Sequence, residues 1–275
     1  MELIQITEQN PWWVDREKIN EDEKVKEALS KRHKIELFGA IPPLIVGVIR
    51  RLSIRDAERA EEDGADLIEL RIDRLGMEES SIEKMKEFVS LLKVKMPIPV
   101  PVLITNRKKE EGGSFIGSED ERIGMLSSIL DTVEVDAIDI EFSSSAADRK
   151  KIVEKAKRLH IPVIFSFHDF NGMPGRSELL NLIARMYDEG GSIAKIAVTP
   201  ETFRDALSLL SLTDELSREG KLLAAIGMGP VGRHLRVIAP LYGSVLTYGV
   251  IEGEEEVAPG QFSVKELRSI LKRLI

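Results

Sequence analysis

The chain has 275 residues, 43% of them apolar, which suffices for one large α/β core and excludes the disordered class. A formal net charge of −8 argues against non-specific nucleic-acid binding, and the absence of cysteine removes disulfides, thiolate metal sites and thiol nucleophiles. No stretch reaches the roughly 18 to 20 apolar residues that span a bilayer. The charged start MELIQITEQNPWWVDREK lacks a signal-peptide core, so the cytoplasm is the expected compartment.

In chain order, residues 1–42 stand apart as a short extension, with Glu21–Lys34 as a charged helix and Trp12–Trp13 as an apolar pair. This extension is expected to pack over one end of the main domain or across a subunit contact. From residue 43, eight β-rich runs alternate with amphipathic segments. The runs are LIVGVI (44–49), LIELRI (67–72), VPVLIT (100–105), AIDIEF (137–142), VIFSF (163–167), IAKIAV (193–198), LLAAIG (222–227) and SVLTYG (244–249). Ser118 with Glu121 forms a capping-box pattern ahead of one helix, and Ser53 with Asp56 is a looser case. Eight strands alternating with helices predict a (β/α)8 TIM barrel over 43–275. A doubly wound sheet is the rival, but it carries a glycine-rich turn after its first strand, where this chain has RRLSIRD. EEGGSF (110–115) and GMGPVGRHLR (227–236) read as mobile loops, and APGQF (258–262) as a turn before the last helix.

A barrel places its active site at the C-terminal ends of its strands, so polar residues collected there are candidates for chemistry. Glu69, Arg71 and Asp73 alternate along the second strand, which puts all three charges on one face. Arg107 and Glu111 follow the third strand, and Asp139 and Glu141 alternate on the fourth. His168 and Asp169 end the fifth. Lys195 sits within the sixth among apolar neighbours, where desolvation favours a neutral amine able to form a Schiff base. The competing reading is a buried lysine paired with an acid such as Glu141, and the stretch alone leaves both open. His168 is suited to moving a proton beside a Schiff base, or else is a strand-end histidine with a satisfied ring. Asp139 and Glu141 with Glu69 and Asp73 form a possible hard-cation site. The nearby Arg71, Arg107 and Lys195 favour salt bridging over a metal.

Taken together and in order, ELRID, NRKKEEGG, DIE, FHDF, KIAVTP, GMGPVGRHLRVIAPLYGSVLTYG and APGQFSV resemble the type I 3-dehydroquinate dehydratases over residues 43 to 275. The resemblance implies syn elimination of water from 3-dehydroquinate through a lysine Schiff base. Catalytic roles fall to Lys195 as nucleophile, His168 as general base and Glu111 as its orienting carboxylate. Glu69, Arg71, Arg107, Arg236 and Gln261 match substrate-binding positions. The resemblance calls for no metal and no cofactor, and it implies a small-molecule substrate and a homodimer. Some members carry a serine on the first strand, where this chain has Gly47, and another before the A-P-G-Q turn, where it has Val257, and the resemblance implies that both positions are auxiliary substrate contacts. Arg233 and His234 are expected to have surface roles. Segments 227–236 and 252–261 are expected to close over the substrate. A class I aldolase, which also uses a barrel lysine, and a non-catalytic binding barrel are the alternatives. His168, Arg236 and Gln261 beside Lys195 argue against the first, and a covalent adduct would exclude the second.

Overall fold

Strands buried on both faces read as apolar runs, interrupted here by the inward charges of LIELRI, AIDIEF and IAKIAV, and each of the eight runs becomes a strand. The computed structural model describes residues 37–40, 42–96, 100–251 and 260–274. The expected helix over Glu21–Lys34, the Trp12–Trp13 pair, Val257 and most of the 252–261 segment lie outside those residues. The strands are β1 (Leu44–Ile49), β2 (Leu67–Arg71), β3 (Val102–Thr105), β4 (Ala137–Glu141), β5 (Val163–Asp169), β6 (Ile193–Val198), β7 (Leu223–Gly227) and β8 (Leu246–Val250). All pair in parallel, in the order β7-β6-β5-β4-β3-β2-β1-β8. A bridge from Leu223 to Ser244 closes the ring between β7 and β8. There the Val245 N–H donates to the Leu223 carbonyl at 2.8 Å, and the Ala225 N–H to Ser244 Oγ at 2.9 Å. The expected (β/α)8 barrel is the fold.

Helices α1 (Ile54–Glu62), α2 (Ile82–Lys95), α3 (Glu119–Thr132), α4 (Ala146–Arg158), α5 (Arg176–Asp188) and α6 (Phe203–Arg218) follow the first six strands. Side-chain oxygens satisfy orphan N–H groups at the starts of all of these but α5, which opens on Gly175. Ser53 Oγ accepts from Asp56 N at 3.2 Å, and Ser118 and Glu121 form the reciprocal capping box. The GMGPVGRHLR stretch departs from the loop expected of it. It folds into a short α7 (Gly229–Gly232) and an α8 (Leu235–Leu241). Gly229 takes φ +69° and Pro230 sits in the first turn of α7, where its missing N–H costs nothing. A two-residue β9 (Phe262–Ser263) then leads into α9 (Val264–Leu274).

Alternation along the strands separates two apolar regions. Ile45, Ile68, Ile104, Ile138 and their outward neighbours pack against the helices. Leu44, Val46, Leu67, Leu103, Ile164, Ile193 and Leu246 fill the barrel's interior. Leu37 also buries itself in this inner cluster, held in a small turn where Leu37 and Ala40 exchange backbone hydrogen bonds of 2.8 and 3.0 Å. Outward-facing Gly249 lets β8 approach the start of α9. A Cβ there would lie 2.8 Å from the Val264 nitrogen and 2.9 Å from its Cα. Both are backbone atoms with no rotamer to move. Gly249→Ala is therefore expected to lower stability by about 1–3 kcal/mol in chemical denaturation; an unchanged midpoint would show that β8 and α9 separate freely.

Candidate active site

On β2, β4 and β5 the inward column of side chains starts apolar and ends polar at the C-terminal end of the strand. Leu67 gives way to Glu69 and Arg71, Ala137 to Asp139 and Glu141, and Ile164 to Ser166 and His168. Lys195 follows Ile193 on β6, and Tyr248 follows Leu246 on β8. In the β5–β6 register Lys195 pairs with Ser166 and Ala197 with His168. Lys195 and His168 thus sit one diagonal step apart on adjacent strands, both facing inward.

The eight residues singled out in the sequence all border one cavity at this end of the barrel: Glu69, Arg71, Arg107, Glu111, His168, Lys195, Arg236 and Gln261. Val48, Phe170, Ile226, Met228 and Tyr248 are among the other residues of its wall. A larger neighbouring cavity, about 330 Å³ and lined by Arg50, Arg51 and Arg74 among others, shares Val48 but holds neither Lys195 nor His168.

Lys195 is only 5% exposed, yet its ammonium has partners of its own. Its Nζ lies 3.0 Å from Asp139 Oδ2, 3.6 Å from Glu69 Oε1 and 4.1 Å from the centre of the Tyr248 ring. The acid expected beside it, Glu141, is engaged elsewhere: it accepts from Arg107 Nη1 at 2.8 Å and from Arg122 Nη1 at 2.7 Å. Arg107 also reaches Asp139 at 3.0 Å and Ser166 Oγ at 2.6 Å. Its guanidinium thus organises the carboxylates, and a run of alternating charge connects Lys195, Asp139, Arg107, Glu141, Arg122 and Glu119. Burial alone would raise Asp139, but the charges of Arg107 and Lys195 hold it far below the usual carboxylate range. Asp139, Glu141, Glu69 and Asp73, weighed above as metal ligands, are each held by a cation or a hydroxyl of the chain itself.

Glu111 comes from a one-turn 3-10 segment, Lys109–Glu111, after β3. Its Oε2 lies 2.9 Å from His168 Nδ1 and accepts the His168 backbone N–H at 3.0 Å. Ser143 Oγ donates to its other oxygen at 2.6 Å. With two other donors aimed at the carboxyl, an ionised Glu111 takes the Nδ1 proton as a third. The neutral ring then has an unprotonated Nε2. Burial, with the charges of Arg107 and Lys195, pushes His168 well below the ordinary histidine range, so the ring stays neutral. Burial also lifts Glu111 to about 7, against the pull of Ser143 and Arg107.

Asp73 sits in a 3-10 turn just past β2 and grips Arg71 through two bonds of 2.8 Å. It also accepts the Arg107 and Ser114 backbone N–H groups, fixing the loop after β3. Arg236, 1% exposed, comes from α8, and Gln261 lies just before β9. Arg233 and His234 are exposed, Arg233 resting over the Phe262 ring at 4.4 Å. The placement of Gly47 corrects one expectation. A Cβ there would meet Ala60 at 3.0 Å and Ala65 at 3.1 Å, so position 47 faces the helices and cannot serve as a substrate contact. Val48 is the β1 residue on the cavity. Ser143, Ser166, Arg122 and Tyr248 were not singled out in the sequence. Ser166 and Tyr248 stood on inward positions of their strands, a signal available to alternation; Ser143 and Arg122 gave none.

A family model for type I 3-dehydroquinase matches residues 45–274. The chain belongs to the type I 3-dehydroquinase family. Membership makes it an enzyme of the hydro-lyase class. It is 41% identical to the 3-dehydroquinate dehydratase of Methanosarcina acetivorans, over 84% of this chain and 94% of that one. A solved 3-dehydroquinate dehydratase from Geobacillus kaustophilus superposes with a TM-score of 0.77 at 27% identity, covering 86% and 92% of the two chains. The type I enzyme from Clostridium difficile, solved with covalently modified comenic acid, gives a TM-score of 0.74 at 31% identity over 84% and 92%. No helix among the described residues is long and apolar enough to cross a membrane.

Proposed function

We propose that this chain is a 3-dehydroquinate dehydratase that removes water from 3-dehydroquinate, in the syn sense, to give 3-dehydroshikimate through an imine at Lys195. The observation that carries the reading is the cavity shared by Lys195 and the His168–Glu111 pair at 2.9 Å. The Lys195 ammonium gives up a proton, the freed amine adds to the substrate ketone, and water departs as that proton returns, leaving an iminium that draws electrons from the adjacent carbon. His168 takes the proton from that carbon through Nε2, with Glu111 holding Nδ1–H. The resulting enamine expels the β-hydroxyl, to which His168 returns the proton, so a second water leaves. Hydrolysis of the imine takes one water back and frees Lys195, and the net change is loss of one water from the substrate.

Arg236 and Gln261 on the cavity wall suit a carboxylate and hydroxyls, and Arg71, fixed by Asp73, presents a preorganised guanidinium. Arg107 contributes by holding Asp139 and Glu141 in place, and Glu69 by its contact with Lys195. The step belongs to the shikimate route to aromatic amino acids, in a cytoplasmic homodimer, by resemblance to the family. Residues 1–42 are read as an extension to a 43–275 catalytic barrel. Support for that division comes from the family match starting at residue 45 and from Leu37 buried in the inner cluster.

Borohydride reduction in the presence of 3-dehydroquinate, followed by peptide mass spectrometry, tests the chemistry. The expected result is one modified peptide carrying the adduct on Lys195. An unmodified Lys195 in folded protein would sink the mechanism.

A further inference from the structure

Tyr248 projects from β8 into the same cavity and is 5% exposed. Its ring lies flat enough against the ammonium for Lys195 Nζ to stand 4.1 Å from the ring centre, a cation–π distance. Its hydroxyl is buried and makes no hydrogen bond among the described residues. Burial, reinforced by the negative charges of Glu69 and Asp139, pushes the phenol well above its ordinary 10. The group therefore keeps its proton and is a donor. A buried donor without an acceptor is unfavourable, and phenylalanine would supply the same ring without that cost. The hydroxyl is explained if its acceptor arrives with the ligand.

We propose that Tyr248 is a further residue of the reaction site: its ring flanks the Lys195 nitrogen, and its hydroxyl donates to an oxygen of the bound polyhydroxylated carboxylate. This rests on the functional reading above, because the acceptor is a substrate atom. The ring, pressed against Nζ, limits the directions from which a ketone can reach the amine. The hydroxyl discriminates in favour of a ligand that places an oxygen next to the lysine, since a ligand without one leaves the donor unsatisfied.

The test compares Tyr248→Phe and Tyr248→Leu with the unaltered chain, using 3-dehydroquinate as the probe. For Tyr248→Phe the expected result is a KM about tenfold higher, the value of one hydrogen bond. Borohydride should still trap the adduct at Lys195, and the thermal midpoint should be unchanged or raised, because an unsatisfied group has been removed. A hydroxyl with a purely structural role would instead lower the midpoint and leave KM alone. Tyr248→Leu also removes the ring, and trapping at Lys195 should slow by about a further tenfold. If the unaltered chain turns over the substrate and Tyr248→Phe has a KM within twofold of it, this inference is overturned and the functional reading survives. If the unaltered chain neither turns over nor traps 3-dehydroquinate, both fall together.

Discussion

Lys195→Ala is expected to abolish the borohydride-trappable adduct and to lower kcat/KM for 3-dehydroquinate by at least about four orders of magnitude. The iminium is the only electron sink the proposed mechanism uses, and among the described residues no other lysine borders the cavity. Loss of activity through misfolding is separable from loss of chemistry. Removing one member of a buried ion pair costs about 3–5 kcal/mol when the other is stranded. Here Asp139 keeps Arg107 Nη2 at 3.0 Å and Ser166 Oγ at 2.6 Å, so the penalty should fall below that range. Circular dichroism should show an intact fold, with Lys195→Met as a closer match in volume. A kcat/KM within tenfold of the unaltered protein, or an adduct on another lysine, would end the assignment.

The same neighbourhood shows what could be read from the sequence and what could not. On β2 and β4 the charges mark which parity faces inward, so ELRID and DIE identified Glu69, Arg71, Asp139 and Glu141 as interior residues. On β1 every position of LIVGVI is apolar because the strand is buried on both sides, and parity is then invisible. That is why Gly47 was placed on the cavity when Val48 occupies it. Pairing between interior charges was equally hidden. In hydrogen-bond register Ser166 stands level with both Glu141 and Lys195, which makes Glu141 the natural partner for the lysine. Barrel strands tilt by about 36°, so register and height along the axis diverge from strand to strand. Asp139, one inward step before Glu141, meets Lys195 instead, while Arg107 and Arg122 claim Glu141. The β7–α8 stretch misled for a different reason. Glycine and proline punctuate loops, but Gly227 and Gly232 are there for close approach: a Cβ on Gly227 would lie 2.3 Å from the Gly232 carbonyl oxygen.

The kcat/KM of the unaltered protein is expected to fall about tenfold per pH unit below a midpoint near 7, and Glu111, not His168, sets that midpoint. Above it the carboxylate accepts Nδ1–H and leaves Nε2 bare to act as base. Below it the protonated carboxyl donates to Nδ1, and the single ring proton moves to Nε2, which then donates into the cavity and cannot accept. His168 remains neutral throughout this window, since burial and the charges of Arg107 and Lys195 hold it well below 6.5. Glu111→Gln should remove the limb near 7 and shift the fall in activity to lower pH, where the ring itself protonates. Its plateau should be lower by about a hundredfold, because the amide no longer stabilises the charged ring during proton transfer. A limb that stays at 7 in the variant would assign the titration to another group. Stability should move in the opposite sense. Folding raises Glu111 from 4.5 to about 7, so its proton contributes stability that is fully present below 4.5 and lost as pH rises through 7. Between those values the unaltered protein should lose stability relative to Glu111→Gln as pH rises, while its activity climbs. Subtracting the variant's denaturation curves cancels the contribution of His168, which runs the other way, to the extent that its own titration is unchanged by the substitution. Glu111 is thus held where its ionised form, the less favourable one for the fold, is the form the chemistry needs.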